Sequence, residues 1–474
     1  LSAQQRRRRQ HGKTAIQGSS MTHISPGAGF VVLLGASFLA AAASSGPAHA
    51  APTAADLGHG LTPFGAIQAG NAEGTIPPWT GGIATPPPGF HNSLSHPNPY
   101  GAEKPLFSIS AGNMAQHAAQ LTPGIQAMLR AYPGYRLDVF PSHRSFAAPQ
   151  SILDAAIANA ASAHLAPDGN SVLGAHTTIP FPIPHSGLEA IWNHLLRWRG
   201  YQAHFTSYAA TPTVGGDYTL IKNDTKLLFP YDLGGASDTG ILSLYLIKAL
   251  EPPLYAGGMT VAKDHVDPAA HPREAWIYNP GEQRVRRAPE VNFDTPNPQA
   301  DSLITDDDLD LFNGSPERFD WKLIGRQEFF VPYNDYEFGN PDHDYSEILK
   351  SQFINPDLMR WELHRVWVVQ ATLKPGAHHI YARRTFYYDE DSWEGLLADQ
   401  YDRRGELWRV SSGAPICYYE LPVLTNNANI FYDLQARRYH VRGMRNRGTM
   451  LDFFQPKLTP ADFTPQALRD SGIR

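Results

Sequence analysis

The chain has 474 residues, with 39 Lys and Arg against 45 Asp and Glu, a formal charge of −6 and one cysteine. An acidic balance argues against nucleic-acid binding, and a single cysteine excludes an internal disulfide. Two or three domains are the ordinary expectation at this length, but large β-rich folds often close around one core, and no internal repeat divides the chain.

Residues 1–50 read as an upstream leader and a signal peptide, with Met21 as the initiator. From Gly29 to Ala43 every residue except Ser37 is apolar, Gly or Ala, and Ala48, His49 and Ala50 follow with signal-peptidase spacing. The run is shorter than the roughly 20 apolar residues of a transmembrane helix. Cleavage near Ala50 is therefore expected, and because no cysteine follows that site the product is expected not to be a lipoprotein. Losing Arg6 to Arg9 and Lys13 leaves 34 basic residues against 45 acidic ones.

Residues 51–112 are crowded with Gly and Pro, including Pro77, Pro78, Gly81, Gly82 and Pro86 to Gly89, which predicts an extended arm pinned by Phe64 and Trp79. Residues 113–200 turn helical. Asn113 to Leu129 and Gln150 to Ala163 are Ala-rich, with a break at Tyr132, Pro133 and Gly134. The strongest local pattern is Ser186 to Tyr201, where Ser186 and Glu189 have the spacing of a capping box. Leu188, Ile191, Trp192, Leu195 and Leu196 then share one helical face, which predicts a helix plugging the concave side of a sheet. His194 lies on this helix with no evident partner and reads as a satisfied or exposed histidine.

Residues 201–474 read as a curved antiparallel sheet. Gly240 to Leu250, Met259 to Val266 and Glu274 to Tyr278 are predicted strands, and Asn279 to Glu282 turns the last into Gln283 to Arg287. Leu363 to Leu373 alternates faces, Lys374, Pro375 and Gly376 turn the chain, and Ile380 to Asp389 returns. Leu396 to Tyr401 and Glu406 to Val410 are predicted to form a hairpin through Asp402 to Gly405, with Gly405 supplying a positive φ. Ile416 to Leu421 follows as a further strand, and Ile430 to Leu434 pairs with Arg438 to Arg442. The fold class expected is α+β, a large curved antiparallel sheet wrapped over helices, preceded by a Pro/Gly-rich arm.

Several constellations have a chemical reading. Asp306, Asp307, Asp308 and Asp310 could hold Ca²⁺, but they lack the glycine and distal glutamate of an EF-hand and fit a solvated loop or a charge-paired surface. His378 and His379 are adjacent, so in a strand they point to opposite faces and do not serve one metal, and Asp342 to Asp344 is a further polar knot. Ser237 lacks the second glycine of a nucleophile elbow and a paired histidine. No catalytic residue, metal or cofactor is expected. The wide aromatic faces suggest a cavity lined by Trp192, Leu195, Trp367, Phe386, Tyr388, Trp408 and Tyr418, with Arg384 either anchoring an anionic headgroup or held in a buried ion pair. Packed core is the competing reading of these aromatic stripes.

The stretch from Leu61 to Gly82, Gly101 to Phe107 (GAEKPLF), Tyr132 to Arg144, Pro180 to Gly200 around GLEAIWNH, and the DEDSW…YDRRGELWR run from Asp389 to Arg409 together resemble domain of unknown function 1329 over about residues 57–474, treated as one family domain. The resemblance implies an exported, periplasmic Gram-negative protein labelled as outer-membrane lipoprotein-sorting-like. It also implies the incomplete β-barrel over helices of the carriers LolA and LolB. Its implied partners are an RND (MMPL-like) exporter and an outer-membrane protein of the domain of unknown function 1302 family, and it supplies no catalytic residues. The function expected is a non-enzymatic carrier or chaperone for a hydrophobic or amphipathic cargo, with transient membrane contact at most. An adaptor without a ligand and a lipid-acting hydrolase are the alternatives.

Overall fold

In the computed structural model, which describes residues 52–91, 96–233, 240–289 and 293–472, alternating side chains and tight turns build one 15-stranded sheet. In chain order the strands are β1 (Phe107–Ile109), β2 (Leu137–Val139), β3 (His164–Leu165), β4 (Val172–Leu173), β5 (Gln202–Ala210), β6 (Ile221–Leu228), β7 (Ile241–Glu251), β8 (Met259–His265) and β9 (Glu274–Asn279). They continue with β10 (Arg284–Arg287), β11 (Phe319–Pro332), β12 (Trp361–Leu373), β13 (Arg383–Asp389), β14 (Gly395–Tyr401), β15 (Leu407–Tyr418), β16 (Val423–Asp433) and β17 (Arg438–Met444). Strands β3 and β4 form a separate ribbon.

The sheet order is β1-β2-β12-β13-β14-β15-β16-β17-β5-β6-β7-β8-β9-β10, with β11 also paired to β12. Neighbours are antiparallel except for one parallel bridge between β2 and β12. Strand β17 joins β5, so the last strand in sequence lies in the middle of the sheet. Among the described residues β10 pairs only with β9, and the sheet does not close. This is the incomplete barrel expected.

The hairpin turns follow the sequence. Gly376 and Gly405 both take φ of 81°, the left-handed region that costs glycine nothing. One expectation is corrected. Glu406 to Val410 and Ile416 to Leu421 are not separate strands but fall on one strand, β15, because Gly413 and Pro415 flank a bulge that keeps the backbone extended past a proline with no N–H to donate.

Helix α1 (Pro123–Ala131), helix α2 (Gln150–Ser162) and helix α3 (Gly187–Leu196) occupy the helical segment. Asn113 to Leu129 is therefore a 3-10 turn over Met114–Gln120 followed by α1, whose N-cap is Thr122. In α3 the Ser186 hydroxyl accepts from Glu189 N at 3.1 Å, but the Glu189 carboxylate accepts from His185 N rather than Ser186 N, so only half of the capping box forms. The helix stops at Leu196, and Arg197 is extended, because its guanidinium is drawn to Glu394 and Asp310. Every residue of α3 from Ala190 to Leu196 is buried, as befits a helix inside the sheet.

The arm lies on the sheet as an extended segment. Phe64 and Ile76 are buried, the Trp79 Nε1 donates to Phe146 O at 3.0 Å, and Ile67 N donates to Glu390 Oε1 at 3.0 Å. At the far end of the chain, Leu458, Phe463 and Leu468 pack on Leu244, Leu246 and Val261, covering the outer face of β7 and β8.

Candidate functional site

The two faces of β5 to β9 have different fates. With Leu246 turned outward, the alternate residues Tyr245, Ile247 and Ala249 turn inward, and Ser243 joins them at the strand's start. The pairing register then places Phe205, Thr225, Ile247, Thr260, Ile277 and Arg286 opposite one another in a single row across six strands. This row floors a cavity of about 960 Å³. Ligand pockets generally span about 300–1,000 Å³, so the space is large enough for a lipid-sized molecule.

The roof is the segment 295–313, which contributes Ile304, Leu309, Asp306 and Asp310, and the inner wall is β16 and β17. Leu254, Pro280 and Pro298 are exposed lining residues and mark the mouth, where Leu254 is 82% exposed on the β7–β8 turn.

Buried ion pairs tie the roof down. Arg384 is fully buried and donates to Asp307 Oδ2 at 2.8 Å and Asp308 Oδ1 at 2.7 Å, while His379 Nε2 lies 3.1 Å from Asp307 Oδ2. Arg197 donates to Asp310 at 2.6 Å and to both Glu394 oxygens at 3.0 Å, and Arg199 reaches Asp310 at 3.1 Å. Burial would raise the Asp310 carboxyl, but Arg197 and Arg199 overcome it and hold the group at about 2. Burial likewise opposes the charge of Asp307, and the Arg384 guanidinium with the hydrogen bond to His379 wins. The acidic run is thus not a solvated loop. It is charge-paired and buried, because arginines from the turn after α3 and from β13, together with a histidine of the β12–β13 loop, converge on it.

The eight residues singled out in the sequence lie outside the wall of the large cavity. Trp192 and Leu195 are buried on α3 and border a separate void of about 20 Å³, no more than a water site. Trp367 stacks on Trp393 at 5.4 Å with the Arg326 guanidinium 4.1 Å above it. Phe386 packs on Trp321, Phe312 and Tyr388, and Tyr388 stacks on His194 at 4.5 Å. Tyr418 is fully buried against Phe453, and Trp408 is half-buried with its Nε1 donating to Asp433. Arg384 shares the face of Phe386, as the alternation requires, but forms the buried ion pair rather than a headgroup anchor. His194 is satisfied as a neutral ring, with Nε2 donating to Phe312 O at 3.1 Å and Nδ1 accepting from Arg197 Nη1 at 3.3 Å. Burial, reinforced by Arg197, lowers it to about 3. Ser237 lies outside the described residues.

Sequence reasoning missed the cavity wall. Ile247 and Arg442 sit in predicted strands, but their alternation gives no sign of an unfilled face. Strands β5 and β6, with Thr225 and Asn223 turned inward, carry no apolar run that would mark them as core.

A family model described as a protein of unknown function (DUF1329) matches residues 108–469. The chain belongs to the DUF1329 family. A Pseudomonas aeruginosa relative described as uncharacterized protein PA3922 is 43% identical over 428 residues, covering 90% of this chain and 94% of the relative. Among solved structures, a DUF1329 family protein from Desulfovibrio piger overlaps with a TM-score of 0.42 at 14% identity, over 60% of this chain and 97% of that one. The LolA superfamily protein NE2245 from Nitrosomonas europaea gives a TM-score of 0.34 at 12% identity, over 57% and 93%. The architecture of this DUF1329 protein rests on its own strand pairing.

Proposed function

We propose that this DUF1329 protein is a non-enzymatic carrier or chaperone that encloses an apolar or amphipathic molecule between the inner face of β5 to β9 and the roof at 295–313. The observation that carries the reading is the cavity of about 960 Å³ with an apolar and small-residue floor. Enclosing an acyl chain contributes roughly 0.8 kcal/mol per methylene, so about a dozen methylenes contribute on the order of 10 kcal/mol before ordering costs. The wall offers little to a catalyst. His440, beside the cavity, is lowered to about 3 by burial and by Arg442, which makes it a poor general base at neutral pH. The carrier works in the periplasm in this reading, with an RND (MMPL-like) exporter and an outer-membrane protein of the domain of unknown function 1302 family as its partners, as the family resemblance suggests.

Native mass spectrometry of the protein purified from a Gram-negative periplasmic fraction tests the carrier. A one-to-one adduct that solvent extraction releases as a lipid-like molecule is expected. A clean apo mass that incubation with envelope lipids leaves unchanged would contradict the reading.

A further inference from the structure

The wall of the cavity has a sign. In a chain of net charge −6, its lining carries four arginines, Arg199, Arg286, Arg442 and Arg445, against two aspartates, Asp306 and Asp310. Arg199 and Asp310 pair with each other, and Arg286 lies across the floor on β10, which leaves Arg442 and Arg445 on the inner wall to be accounted for.

Neither has a carboxylate in contact among the described residues. Arg445 is 5% exposed, and its Nη1 donates to three neutral oxygens: Asn427 Oδ1 at 2.6 Å, Asn427 O at 2.7 Å and the Tyr418 hydroxyl at 3.2 Å. Its guanidinium lies 4.5 Å over the Phe205 ring, and its Nε has no partner. The Arg442 side chain is half-buried and makes no hydrogen bond or ion pair with any described residue, with Asp306 acting on it only at longer range. Directly across the strand pair is Asn429, whose buried Nδ2 is also unpartnered. Burial works against the charge of both arginines, and it also raises the Asp306 carboxyl, which weakens the nearest opposing charge. A buried guanidinium without a counter-ion is costly, and a row of unused donors facing a cavity is the pattern left when the acceptor arrives with a ligand.

We infer that the cargo is an amphiphile with one anionic head, a carboxylate or a phosphate ester, received by Arg442, Arg445 and Asn429, while its tail lies along the row from Ile247 to Ile277. This rests on the carrier reading and narrows it. The guanidinium fork matches either headgroup, since each presents paired oxygens.

The test compares three probes of equal chain length, hexadecanoate, hexadecyl phosphate and hexadecanol, by isothermal titration against the wild-type chain and Arg442→Gln. The Arg442 side chain holds no partner among the described residues, so the variant is expected to keep the fold, which its unfolding temperature checks. The wild type is expected to bind at least one anion about ten-fold or more tighter than the alcohol, and Arg442→Gln to lose most of that preference while keeping the alcohol affinity. The stronger of the two anions identifies the headgroup. Equal binding of all three probes, or an anion preference untouched in Arg442→Gln, overturns the headgroup inference and leaves the carrier standing. Binding of no probe contradicts both.

Discussion

Single buried carboxylates set the pH response of the molecule. Asp399 is fully buried at the start of α1, where its Oδ2 accepts from Gly124 N at 3.1 Å and the Tyr387 hydroxyl at 3.1 Å. Gly124 is required there because a Cβ would collide with the Asp399 carboxylate. Burial raises Asp399 to about 7, from 3.8. Below about pH 4 the folded and unfolded forms are both neutral. Between about 4 and 7 only the unfolded chain ionises, so stability is lost as pH rises through that window, on the order of a few kcal/mol. Asp399→Asn is expected to flatten this part of the curve of unfolding temperature against pH and to leave the variant the more stable at pH 8. A wild type that gains stability between pH 4 and 7 relative to Asp399→Asn would contradict the assignment. Nothing in the sequence marked Asp399, because a lone aspartate in a strand carries no local sign of what it will face.

At the scale of elements, the roof over the cavity is held by charge rather than by apolar packing alone. Arg384→Met leaves Asp307 and Asp308 buried without their cation and is expected to cost about 3–5 kcal/mol, with faster hydrogen exchange concentrated in 295–313. Adding Asp307→Asn and Asp308→Asn is expected to recover part of that loss. A cost below about 1 kcal/mol would show that the pairs do not hold the roof. Turns and strands with regular alternation were legible, from Leu363 to Leu373 through the Gly405 hairpin. Strand β11 was not, although Phe319, Trp321 and Leu323 alternate with Asp320 and Lys322. Its register shifts between Leu323 and Gly325, so the pattern changes phase halfway along its 14 residues. The acidic run was legible as a feature but not as a clamp, since its partners lie far away in sequence, at Arg197, His379 and Arg384.

At the scale of the molecule, one sheet serves two purposes. Between β11 and β15 its inner face is filled by α3 and interlocked aromatics, and across β5 to β9 it is left open beneath a roof. The first half is written in aromatic and aliphatic alternation, which is why Trp192, Phe386 and Tyr388 drew attention. The second half is lined by Thr225, Ser243 and Thr260 alongside Phe205 and Ile247, a mixture that reads as an ordinary strand, because a void leaves no residue type of its own. The aromatic stripes thus marked the core, and the cavity emerged only from the register that aligns one row across six strands. The most direct measurement of the central claim is binding of a fluorescent apolar probe to the wild type, Ile247→Trp and Phe386→Leu, with unfolding temperatures recorded for each. Ile247→Trp narrows the cavity at the middle of its floor and is expected to weaken binding while the protein stays as stable as the wild type. Phe386→Leu loosens the packed half and is expected to lower stability while binding persists. Unchanged binding in Ile247→Trp together with its loss in Phe386→Leu would contradict the account and place the ligand in the aromatic half.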